Sequence, residues 1–84
     1  MSMKIRKKYV SVDAHFDESG GMRPIRILWD DGRIFEVDRV LDIREAASRK
    51  AGGQGIRYLC RIKGHETCVY YEKPRWFVEE KVGN

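Results

Sequence analysis

Cys60, His65 and Cys68 are the densest group of metal-ligand residue types in the chain. A tetrahedral zinc needs its donors to converge at about 2.0–2.3 Å. The alternating stretches around Gly64-His65 instead put Cys60 and Cys68 on opposite faces of adjacent strands, with His65 at the hairpin tip. We expect neither a zinc site nor a Cys60–Cys68 disulfide, because the Cβ vectors diverge. Cys60 reads as a small core residue. Asp13 and His15 share a strand face without a Ser or Cys nucleophile beside them, and solvated polar side chains account for both. Gly52, Gly53 and Gly55 lack the strand-to-helix context and the Lys-Ser/Thr pair of a phosphate loop. No catalytic residue, metal, cofactor or small-molecule ligand is expected.

Two further groups bear on binding. Nine aromatic residues, among them Trp29, Tyr58 and Trp76, are interleaved with Arg26, Arg33, Arg57, Arg61 and Arg75. Rings among guanidinium groups can form a stacking platform for single-stranded nucleic acid. Small β domains also fill thin cores with rings and point charges outward, and the arginines here have acidic residues near them. The net charge of +4 is local: four of the 17 basic residues, Lys4, Arg6, Lys7 and Lys8, lie in the first eight positions. Without them the remaining basic residues equal the 13 acidic ones. Residues 1–8 thus read as a basic arm, and residues 9–82 as one small β domain. Any weak nucleic-acid contact is expected through Lys4, Arg6, Lys7 and Lys8.

At 84 residues the chain makes one domain of ordinary globular composition, 42% hydrophobic and 11% aromatic. No apolar run approaches the roughly 20 residues of a membrane helix, and the opening MSMKIRKK has no signal-peptide core. Two cysteines fit a reducing compartment, so we expect a cytoplasmic protein with no membrane partner.

The elements that must position these residues are strands. Val10, Val12, Ala14 and Phe16 alternate with polar residues, as in a half-buried strand. Pro24 to Val37 is two alternating runs around Asp30, Asp31 and Gly32. A two-residue loop would mix the faces. A three-residue loop with Gly32 in the left-handed position pairs Ile25 with Val37, Ile27 with Phe35 and Arg26 with Glu36. The strand-like pattern continues through Ile43, with a bulge expected between Asp38 and Val40. Arg44 to Gly55 breaks it and reads as a mobile loop or one short helix near 44–51. From Gly55 onward the chain is a meander. A Gly64-His65 turn pairs Cys60 with Val69 and Lys63 with Glu66, and the turn before Arg75 sets Tyr71 opposite Trp76.

The runs WDDGRIFEVDRVLD (29–42), IRYLCRI (56–62), YYE (70–72) and RWFVEEKV (75–82) resemble those of a family of small uncharacterised bacterial β-rich domains. The resemblance spans Ile27 to Val82 and implies a fold but no activity. The fold expected overall is all-β, with about six antiparallel strands in meander order, as a strongly twisted sheet or small barrel. Its last three strands are apolar on both faces. One face, Cys60, Val69, Val78, Tyr58, Tyr71 and Trp76, makes the core. The other, Leu59, Tyr70 and Phe77, is expected to meet a second copy across a two-fold axis. The function expected is a non-enzymatic, self-associating protein-interaction module, a homodimer. The alternative is a nucleic-acid-binding module of OB- or SH3-like type.

Overall fold

Alternation of apolar and polar residues runs almost the whole length of the chain, and the computed structural model is a single curled antiparallel sheet. It describes residues 4–47 and 54–82. Its strands are β1 (Lys4–Phe16), β2 (Met22–Leu28), β3 (Ile34–Glu36), β4 (Arg39–Ala47), β5 (Gln54–Ile62), β6 (His65–Glu72) and β7 (Arg75–Val82), in the spatial order β3-β2-β1-β7-β6-β5-β4. The described residues form seven strands rather than about six, because Val37 and Asp38 interrupt the run after Gly32 and split it into β3 and β4.

Two devices curl the sheet into a half-barrel. β1 pairs with β7 from Lys4 to Val10, then with β2 from Ser11 to Phe16, and so belongs to both halves. At the β3–β4 corner, consecutive amides bond to opposite halves. Val37 N–H donates to Ile25 O and Asp38 N–H to Arg61 O, each at 2.9 Å. The concave side then holds the core of Ile27, Tyr58, Cys60, Ile62, Val69, Trp76 and Val78. The Tyr58 hydroxyl crosses this core to donate to Met22 O at 2.7 Å, which ties the halves together and satisfies a buried polar atom.

The β2–β3 hairpin has the register read from the sequence: Arg26 opposite Glu36, Ile27 opposite Phe35 and Leu28 opposite Ile34. Trp29 N–H donates to Arg33 O, and Gly32 sits at φ +90°. A Cβ built on Gly32 meets nothing within 4 Å, so only its backbone conformation resists substitution. Gly32→Ala is expected to cost about 1 kcal/mol, read as a lower urea midpoint at unchanged slope.

Four expectations are corrected. Residues 4–8 are not an arm. Lys4 to Lys8 form the first half of β1, paired in register with Val82 to Val78 of β7. Alternation is hidden there because consecutive Lys and Arg occupy both faces. Arg44 to Ala47 are not helix or loop. They extend β4 against β5, from Arg44 opposite Arg57 to Ala47 opposite Gln54, and pairing with β5 outweighs the strong helix preference of alanine. The rest of the expected helix, at 48–51, lies outside the described residues. The register shift falls between Val40 and Asp42, at Leu41, one residue beyond the bulge expected. Finally, the β5–β6 turn is centred on Lys63 and Gly64, at φ +50° and +78°. This sets Tyr58 opposite Val69, Cys60 opposite Thr67 and Arg61 opposite Glu66. The slip is two residues, so every side chain stays on its expected face. The β6–β7 register agrees with the sequence reading, with Tyr71 opposite Trp76 and Val69 opposite Val78.

Candidate functional site

Three places position the residues singled out by type: the outer face over β1, β7 and β6, the concave cleft, and the β4 edge. On the outer face, strand pairing aligns Tyr9, Phe77 and Tyr70 in one row. The Tyr70 ring stacks on Phe77 at 4.8 Å and 3° between planes, and Tyr9 meets Phe77 edge-on at 5.8 Å. The Lys7 ammonium lies 4.8 Å from the Phe77 centroid. Phe77 is left only 2% exposed within one chain. Leu59 and Tyr70 are half-buried, and the Tyr70 hydroxyl donates to Glu79 at 3.0 Å. Burial together with that bond pushes the Tyr70 phenol up to about 12. Of the three residues of the expected dimer contact, Phe77 is covered within the chain, by Tyr70 and by Tyr9 and Lys7 of β1, while Leu59 and Tyr70 stay half-exposed.

The basic residues of β1 are largely spoken for. Arg6 pairs with Glu80 at 2.8 Å, Lys7 with Glu72 at 2.7 Å and Lys8 with Asp30 at 2.9 Å. Glu72 also accepts from the Tyr9 hydroxyl at 2.9 Å, and the Lys7 and Tyr9 bonds together hold its carboxyl below the usual range. Lys4 is exposed and makes no ion pair among the described residues. The ring faces are engaged as well. Arg75 lies 3.9 Å over Tyr9, Lys8 lies 5.1 Å over Trp29, and Phe35 has Lys63 at 5.1 Å and Arg33 at 5.4 Å. Bases would have to displace cations to stack on these rings.

Cys60, His65 and Cys68 are not brought together. Cys60 opposes Thr67 and Cys68 opposes Leu59, so their side chains leave the sheet on opposite sides, and both thiols are free. Burial, with a smaller contribution from Cys68, pushes the Cys60 thiol up to about 11, which keeps it protonated at neutral pH. His65 is exposed beside the β5–β6 turn. Asp13 is engaged by Arg26 at 3.0 Å, and His15 is exposed. Among the described residues, no group of three or more His, Cys, Asp or Glu could hold a metal ion. Among the described residues, no helix is long and apolar enough to cross a membrane.

The cleft is a feature that the sequence reading missed. It has a volume of about 400 Å³, with Ile27, Trp29, Phe35, Ile62 and Val78 as its apolar lining and Lys63, His65, Thr67 and Glu79 at its polar rim. Mouths of curled sheets are common binding sites, and apolar walls with a few polar groups are their usual lining. The shared face of Ile27, Trp29 and Phe35 was readable from the hairpin register. Their meeting with Ile62 and Val78 depends on the Val37–Asp38 corner, which carries no local signal.

The third place is β4, the terminal strand beyond β5. Its concave-side Ile43, opposite Tyr58, is 54% exposed, and Leu41 at the bulge is 37% exposed. Asp42 and Arg44 stand together on the outer face, 2.8 Å apart.

No family model, curated protein or solved structure matches the chain.

Proposed function

We propose that the chain is a small non-enzymatic protein-interaction module that pairs with a second copy of itself, edge to edge through β4. The observation that carries this reading is the charge order along an unpaired edge. β4 has nine residues and no strand beyond it among the described residues. Edges of this length invite pairing with another chain. In a two-fold antiparallel pairing centred on Ile43, each Asp42 faces Arg44 of the second copy and the two Ile43 side chains meet. A pairing centred on Asp42 would instead oppose two carboxylates, which is unfavourable. The Ile43-centred register therefore wins. It is isologous, so it closes at the dimer, and it extends the concave apolar face across the axis. The free thiols of Cys60 and Cys68 suit a reducing compartment such as the cytoplasm.

Sedimentation velocity across the micromolar range tests the pairing. The wild-type mass is expected to rise from monomer towards dimer with concentration. Ile43→Lys, at an exposed position that leaves the fold intact, should stay monomeric throughout. A wild type that remains monomeric, or an I43K variant that still dimerises, overturns the reading.

A further inference from the structure

The cleft continues into a gap in the sheet. β6 and β7 pair from Glu72–Arg75 only as far as Val69–Val78, although β6 starts at His65 and β7 runs on to Val82. His65 to Cys68 therefore have β5 on one side and, among the described residues, no strand on the other. The seam opens at the cleft, with His65 and Thr67 on one bank and Val78 and Glu79 on the other. An unpaired edge beside an apolar pocket is the arrangement by which sheets receive extended peptides. Backbone bonds supply affinity, and the pocket selects a side chain.

Lys63 adds a second, independent observation. Its φ of +50° is what the first position of the two-residue β5–β6 turn requires. Its ammonium lies 5.1 Å over Phe35 at the lip of the cleft, without an ion-pair partner among the described residues. The Glu79 carboxylate, by contrast, stands on the outer face, where it accepts from Tyr70. The ammonium at the lip of the cleft is thus Lys63, and an acidic group is favoured beside it.

We infer that seam and cleft together bind an extended peptide segment. The segment adds a short strand along His65–Cys68, seats one large apolar side chain against Trp29 and Phe35, and sets an acidic residue beside Lys63. This site lies apart from the β4 edge and does not depend on it.

Panning the full chain against a displayed library of random peptides is the direct test. Enriched sequences are expected to combine a bulky apolar residue with a nearby Asp or Glu. A synthetic peptide of the enriched sequence should shift the amide resonances of His65 to Cys68 and the Trp29 indole resonance. Lys63→Gly keeps the positive φ and so the fold. It should weaken that peptide about tenfold and abolish the benefit of its acidic residue. The inference is overturned if no sequence is enriched, if the shifts map elsewhere, or if K63G binds as well as wild type. A single-stranded oligothymidylate that shifts these resonances when no peptide does would assign the cleft to nucleic acid instead.

Discussion

Deleting residues 1–8 is expected to unfold the protein or leave it barely folded at 37 °C. Those residues include the β1 segment that pairs Lys4 to Lys8 with Val82 to Val78. Each lost cross-strand pair costs roughly 0.2–1 kcal/mol. The deletion also removes Lys7, whose ammonium covers the Phe77 ring and bridges to Glu72. Exposing a large apolar side chain adds roughly 1.5–3 kcal/mol. A chain of this size has only about 4–13 kcal/mol of stability in total, at roughly 0.05–0.15 kcal/mol per residue. A loss of several kcal/mol is thus a large fraction of the whole. Thermal melting followed by circular dichroism checks it. A truncated chain that melts like wild type would mean that the Lys4–Lys8 part of the β1–β7 pairing contributes nothing.

Phe77→Ala should cost about 3–5 kcal/mol, the usual range for emptying a buried aromatic site. The stacked Tyr70 and edge-on Tyr9 lose their shared partner, and the Lys7 ammonium loses its ring. Because all these contacts lie within one chain, the shift in urea midpoint should be the same at every protein concentration. A midpoint difference that grows with concentration would return Phe77 to an interface between copies. Tyr70→Glu is the weaker companion, since Tyr70 is only half-buried and its hydroxyl points at Glu79.

How far the fold was legible depended on whether local pattern alone chose the partners. At Gly32 it did: only one register put Ile27 opposite Phe35, and the glycine fixed the loop. At Gly64 two registers share the same faces, since a slip of two leaves the alternation intact. Charge pairing favoured Lys63 with Glu66. In the structure Glu66 opposes Arg61, and Glu72 is drawn to Lys7 and Tyr9 of β1. No inspection of the hairpin alone contains that competitor. Arg44 to Ala47 failed for a related reason, because alanines prefer helix locally and only the presence of β5 reverses the preference. The strand at Lys4 to Lys8 is hidden because a run of charge has the pattern of a solvated arm, whereas long Lys and Arg stems cover apolar surface readily.

The candidate sites divide along the same line. Separation of Cys60 from Cys68 followed from period two and needed no tertiary information. The cleft joins a hairpin tip to Ile62 and Val78, far along the chain, through a corner of two residues. The β4 edge became visible only when that strand proved longer than its pattern.

Pairing through β4 is tested most directly by amide hydrogen exchange read residue by residue at low and high protein concentration. The β4 amides that do not bond to β5 should exchange freely when dilute and become protected on concentration. Ile43 and its neighbours should lead, and I43K should abolish the change. If those amides exchange freely at every concentration while β5 and β6 stay protected, β4 is an open edge and the self-pairing account is wrong.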